Sequence, residues 1–277
     1  MKKGTLIHKY IFSMYSLGAV IVMVFFIYHN TVVSYTRKNA GENLAFISSQ
    51  ITQSLNEYIT VLNASANTII SDNSVHTFLL EENSYIKYSE DVNISSLITT
   101  MILNNKYLDG IVLYDAKGYS YEYDLGFSNS YRRNVLKPLT EDRKQKCFTL
   151  NSGNIKYLCI SMPIYTISAS QYKYAGTAVF FSKGEYIYKM LSSYESISGL
   201  TIIISDTGNT SFISNQAEYE GVKIDTIEAI SLEKSYNLSN SIANTGFSLI
   251  TSLDKSMLVP FLDIFIRTVF WVILLII

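Results

Sequence analysis

The chain has 277 residues, 48% of them hydrophobic, and 22 basic against 23 acidic residues give a net charge of −1. That length suffices for one or two domains, and the composition excludes a disordered chain. No basic stripe exists to hold a phosphate backbone, so nucleic-acid binding by this segment is not expected.

Tyr10–Tyr28 reads YIFSMYSLGAVIVMVFFIY and carries no charge, and a helix of ~20 apolar residues crosses a ~30 Å hydrocarbon core. Tyr10, Tyr15 and Tyr28 sit where interfacial aromatics belong. Lys2, Lys3 and Lys9 precede the span without an acid among them, which places residues 1–9 in the cytoplasm and the chain beyond Tyr28 outside. A cleaved signal peptide would need a core of ~7–15 residues and a small-x-small site. This core is longer, and Ile27-Tyr28-His29-Asn30-Thr31-Val32 offers no such site. Residues 10–28 therefore read as an anchor.

Beyond it, Leu44, Ile47, Ile51, Leu55, Tyr58, Leu62, Ala66 and Ile69 recur at steps of three and four, the spacing of one face of an α-helix. No Gly or Pro interrupts Glu42–Asp72, so the helix has ~45 Å of reach at 1.5 Å per residue. A coiled-coil stalk is the alternative, but the 3.6 spacing and mixed seam favour packing on a domain. Ser71–Ser74 offers an N-cap for a short helix, Val75–Glu82. A second amphipathic helix is predicted over Ser89–Asn105.

The period then changes. Gly110–Tyr114 is a buried-strand run, and Asp115–Gly118 is a type I turn signal. Tyr119, Tyr121 and Tyr123 alternate with polar residues as in a half-buried strand. Asn129–Gln145 reads as a loop with a short helix. Cys147–Leu150 and Ile155–Tyr165 flank Asn151-Ser152-Gly153-Asn154 as a hairpin, before the strand Tyr174–Phe181 and the helix Glu185–Ser192. The hairpin would bring Cys147 and Cys159 nearly opposite each other, which allows a disulfide; two buried thiols fit equally well. Leu200–Ser205, Asp206–Gly208, Thr210–Ser214 and Gly246–Leu253 then repeat the earlier strand-turn-strand and strand-Lys-helix order in shorter form. Phe261–Ile277 starts a second span, which needs ~17–25 residues. The layout is α+β, with helices on one face of an antiparallel sheet.

Catalytic chemistry has no visible basis. His8, His29 and His76 are not placed for a Ser/His/Asp set or a metal site, and no GxxxxGK loop occurs. No metal and no cofactor is expected. The chemical candidate is a pocket for a small polar ligand lined by Tyr121, Tyr123, Asp124, Tyr131, Arg132, Arg133 and Tyr165, with Arg suited to a carboxylate. The same tyrosines also fit plain core packing, and the arginines a solvated surface.

A long helix leaving a membrane, then DGIVLYDAKGYSYEY (109–123), YLCISMPIYT (157–166) and YAGTAVFFSKGEYIYKML (174–191), resembles the extracellular double Cache, PAS-like sensor region of Gram-positive membrane sensor histidine kinases. The resemblance covers residues 10–277 through element order and strand patterns. It implies a distal module at about 73–195 and a proximal one at about 196–256, together an extracellular sensor over residues 32–258. It also implies a ligand site in the distal module, a homodimer, and a kinase core after the second span. The same sensor also precedes AraC-type regulators and chemoreceptors. This chain lacks the Tyr/Arg/Trp/Tyr cluster of the amino-acid-binding branch around Tyr119–Arg133. The expected mechanism is a ligand-driven shift of Gly246–Leu253 and the second span relative to Glu42–Ile70.

Overall fold

The computed structural model describes residues 3–81, 84–123, 125–168, 171–231 and 235–255. Asp124 and the expected second span at 261–277 lie outside them. One helix, α1, runs unbroken over Lys3–Ile70, 68 residues. The apolar residues of its first part, Tyr10 through Tyr28, are mostly exposed, and it is the one helix among the described residues long and apolar enough to cross a membrane. Further along, the three-and-four pattern is buried: Leu44, Ile51, Leu55, Tyr58, Leu62, Ala66 and Ile69 all enter the main core.

Two more helices precede the sheets. α2 (Asn73–Leu80) begins two residues before the predicted start because Asp72 is its N-cap, accepting from Ser74 N at 2.8 Å. α3 spans Ser84–Asn104. Next come β1 (Gly110–Asp115), β2 (Ser120–Tyr123), the one-turn α4 (Asn129–Tyr131), β3 (Lys146–Ser152), β4 (Ile155–Ser168) and β5 (Gln171–Lys183). They form a five-stranded antiparallel sheet in the order β2-β1-β5-β4-β3. α5 (Glu185–Leu191) leads to a second antiparallel sheet of β6 (Leu200–Ser205), β7 (Ser211–Ser214), β8 (Ser235–Ser241) and β9 (Ser248–Asp254), ordered β7-β6-β9-β8, with α6 (Ile224–Ser231) between β7 and β8.

The second sheet repeats the first, and the turns repeat in detail. Asp115 Oδ1 accepts from the N–H groups of Lys117 and Tyr119, and Asp206 Oδ1 accepts from those of Gly208 and Thr210. Such Asx bonds hold a turn shut. β6 thus corresponds to β1, and β9 to β5; β3 has no counterpart.

α1 serves both sheets. Tyr58 donates to Ser182 Oγ on β5 at 2.5 Å, and Asn240 on β8 donates to Ser48 Oγ on α1 at 2.9 Å. Gly176 lets β5 lie against β1, since a Cβ there would overlap the Tyr114 carbonyl and sit 3.0 Å from Leu79 Cδ2.

The disulfide is not formed: Cys147 and Cys159 are free and buried. The register explains it. Cys147 pairs with Ile160 and Cys159 with Phe148, so the cysteines are offset by one residue and point to opposite faces of the sheet. Cys147 packs in the core beneath the helices and Cys159 in the core on the other side.

Candidate ligand-binding site

The five-stranded sheet has two covered faces. Alternation along β2 sends Tyr121 and Tyr123 towards α2 and α3. The Tyr121 ring lies 5.6 Å from that of Phe78, and burial raises its phenol while a hydrogen bond from Ser95 opposes this. The Tyr123 hydroxyl shares a 2.5 Å hydrogen bond with Thr99. These two tyrosines belong to the helix-side core.

Glu122, between them, points the other way, under the segment 125–140. That segment consists of α4, a π turn at Arg132–Leu136 and a 3-10 turn at Lys137–Thr140. Ser128 caps it, its hydroxyl accepting from Tyr131 N at 3.1 Å. Arg132 hangs from this turn into a half-sealed position. Its Nη1 donates to Glu122 Oε2 at 2.9 Å, with side-chain exposures of 14% and 9%, and its Nη2 donates to Asn129 Oδ1. The other Glu122 oxygen accepts from Leu125 N and Phe127 N. Tyr114, whose hydroxyl is pushed up by burial, donates to the Arg132 carbonyl at 2.9 Å. The Arg132 Nε is buried without a partner among the described residues.

An aromatic cluster packs on the same face of the sheet. Phe127 meets Tyr131 at 4.9 Å and Phe181 at 5.3 Å, and Tyr157 meets Phe181 at 5.8 Å. Tyr131 also donates to the Asn151 carbonyl at 3.3 Å, tying the segment to the β3–β4 turn. In so apolar a setting a guanidinium with a spare N–H is a fork for a carboxylate.

Asp124 lies outside the described residues, and the other six predicted residues do not converge on one cavity. Tyr121 and Tyr123 lie on the helix side and Tyr131 and Arg132 on the opposite side. Arg133 is exposed. Tyr165 is 44% exposed on the outer part of the β4–β5 ribbon, its ring 5.8 Å from that of Tyr174. Sequence reasoning missed Glu122, Asn129 and Tyr114. Glu122 was within reach, since it is the odd member of an alternating tyrosine run; the other two depend on how the segment folds back.

The second sheet is joined to the first through side chains of β3, β4 and α5. Lys156 on β4 donates to Glu220 Oε2 at 2.6 Å and to the Phe212 carbonyl at 2.9 Å. Tyr188 on α5 donates to the other Glu220 oxygen. Thr149 on β3 donates to Asp206 Oδ2 at 3.1 Å. Burial pushes the Glu220 carboxyl up, but the Lys156 and Tyr188 hydrogen bonds outweigh it and hold the group below its ordinary value.

No protein-family model matches the sequence, and no curated protein does. Solved structures do share the fold. The periplasmic sensory domain of the Campylobacter jejuni chemoreceptor Tlp1 aligns with a TM-score of 0.61 at 13% identity, over 80% of this chain and 98% of its own. The ligand-binding domain of the Pseudomonas aeruginosa amino-acid chemoreceptor PctC, solved with GABA, gives 0.58 at 12% identity over 77% and 100%. An extracellular domain described as that of a histidine kinase, rpHK1S-Z16, gives 0.55 at 10% identity over 80% and 97%. Two antiparallel sheets hung on one long N-terminal helix are thus the fold of bacterial extracytoplasmic sensory domains, in chemoreceptors and histidine kinases alike.

Proposed function

We propose that this chain is the ligand-sensing region, of double Cache type, of a membrane receptor that signals as a two-component histidine kinase. The observation that carries the reading is α1. Its exposed apolar start suits lipid, and its buried stripe makes the same helix the spine of both sheets. In this reading residues 10–28 span the bilayer and residues 32–258 lie outside the cell. The distal module at about 73–195 binds the ligand, and the proximal module at about 196–256 passes its state to a second span at 261–277. The receptor works as a homodimer.

The ligand is a small molecule with a carboxylate. It takes the Arg132 guanidinium from Glu122, using the unpartnered Nε as well, and Tyr131 with Tyr114 frames it. Exchange of one carboxylate for another removes Arg132 from Glu122 Oε2 and leaves Glu122 held only through Oε1 by Leu125 N and Phe127 N, so liganded and empty segments differ in structure. That difference in affinity is what drives the equilibrium. A chemoreceptor output is the second reading, favoured by the likeness to Tlp1 and PctC; an AraC-type regulator is the third.

Three measurements test the proposal on the full-length protein. Asn151→Cys adds an exposed thiol where both native thiols are buried; a membrane-impermeant maleimide should label it in intact cells. Absence of labelling before lysis, with labelling after it, removes the extracellular assignment. A carboxylate library screened by thermal shift in nanodiscs should yield hits that Arg132→Lys abolishes. Hits indifferent to Arg132→Lys would displace the site. Ligand-dependent autophosphorylation with ATP then separates the kinase from the other two outputs.

A further inference from the structure

On the helix side, at the outer end of the distal sheet, a cluster stands apart from the Arg132 site. Lys87 on α3 is bonded through Nζ to Asp115 Oδ2 at 2.7 Å, with side-chain exposures of 12% and 7%. Its ammonium lies 4.9 Å from the Phe78 ring centroid and 4.8 Å from that of Tyr119. A cation between two aromatic faces and against a carboxylate is the arrangement by which proteins recognise organic ammonium ions. Here the occupant is a side chain of the chain itself.

The frame around it is fixed. Asp115 Oδ1 is committed to the N–H groups of Lys117 and Tyr119, which leaves Oδ2 aimed at the ammonium. Phe78 is fully buried and its ring also meets Tyr121 at 5.6 Å. A cleft of about 440 Å³ opens onto the cluster and is lined by Leu79, Lys87, Asp91, Asp115, Tyr119 and Tyr174, among others. Clefts of roughly 300–1,000 Å³ hold small ligands. Asp91 lies four residues after Lys87 on α3, one turn away on the same helix face. Its Oδ1 is buried and has no partner among the described residues. A carboxylate oxygen in that position is an unfilled acceptor within a turn of the lysine.

We propose that Phe78, Tyr119 and Asp115 form a binding site for a small organic ammonium ion, held shut by the Lys87 side chain, which moves to Asp91 when the ligand enters. The exchange swaps one ammonium for another on Asp115, so its charge balance is unchanged in the cage. The buried Asp91 Oδ1, already within the electrostatic reach of Lys87, gains the hydrogen-bond donor it lacks. The volume vacated by Lys87 joins the cleft, which has room for the rest of the ligand along Leu79. A neutral ligand of the same shape cannot replace Lys87, because Asp115 would then be left buried and unpaired. A tethered competitor acts at an effective concentration in the millimolar range, so a free ammonium ligand binds the native chain weakly. The site does not depend on the receptor reading, because occupancy is read on the chain alone.

The test uses tetramethylammonium chloride as probe and full-length protein in nanodiscs, with sodium chloride and tert-butanol as charge and shape controls. By calorimetry, Lys87→Met should bind the probe about tenfold or more tightly than the native chain, since the competitor is gone. Tyr119→Ala in the same background should reverse the gain. A folded Lys87→Met protein that does not bind, or that binds no better than the native chain, overturns the proposal. Should Lys87→Met fail to fold, Tyr119→Trp decides it. The introduced indole, read against Trp271 in the native protein, should shift its emission with tetramethylammonium but not with either control. An unresponsive indole overturns the proposal as well.

Discussion

The contact between Lys156 and Glu220 joins the two sheets, and its loss should be measurable. Lys156→Met removes the ammonium from Glu220 Oε2 and from the Phe212 carbonyl, while Glu220→Gln keeps the shape and removes the charge. Hydrogen bonds to charged groups contribute about 1.5–3 kcal/mol, whereas exposed ion pairs contribute about 0.2–1 kcal/mol. With the two side chains 24% and 20% exposed, the pair falls between these limits, and a coupling energy of about 1–2 kcal/mol is expected at neutral pH. The assay is a double-mutant cycle in urea, monitored by near-ultraviolet circular dichroism of the tyrosines. The sign with pH is also determined. Glu220 is held below its ordinary value of 4.5, so its contribution is present above the unfolded value and is lost as pH falls through the lower folded one. Additivity within about 0.3 kcal/mol at neutral pH would refute the reasoning.

The packing leads to three further expected outcomes. Gly176→Ala forces a Cβ onto the Tyr114 carbonyl and should destabilise by about 1–3 kcal/mol or prevent folding, read by urea midpoint. Asp206→Ala strips the acceptor from Gly208 N, Thr210 N and Thr149; about 1–3 kcal/mol is expected, with Asp206→Asn costing less because it still accepts. Cys147 and Cys159 should resist iodoacetamide until denatured, since burial raises both thiols, Cys147 to about 11, and the thiolate is the reactive form. An intact mass two units low before reduction would contradict the free thiols.

Much of this fold is legible in the sequence where one physical period dominates. The three-and-four stripe from Leu44 to Ile69 has no competing signal, and its apolar residues are buried or packed against the core. The β1–β2 and β6–β7 turns are readable because Asp115 and Asp206 act locally, on backbone groups two and four residues on. β8 is the opposite case. Ser235–Ser241 is mostly polar and shows no apolar run: only Tyr236 and Leu238 pack against the core, while Asn240 bonds to Ser48 and Thr52 on α1. α6, between β7 and β8, is likewise absent from the sequence reading. The cysteines show how a single step of register decides chemistry that hairpin proximity leaves open. The candidate site was legible in composition and not in assembly. Tyr131 and Arg132 are on the segment over the sheet as their chemistry suggests, while Tyr121 and Tyr123 went to the other face by strand parity. The partners of Arg132 come from β2 and from its own turn, a meeting that only the folded path of residues 125–140 brings about.

The unbroken course of α1 has a mechanical consequence. Sixty-eight residues of α-helix make a rod of about 100 Å. Pivoted at one tip, a swing of only about 3° carries the opposite tip some 5 Å or so, roughly one helical pitch. Because the half from Leu44 to Ile69 is held in the core, a tilt of that half would be carried without a hinge to the exposed half ending near Tyr10.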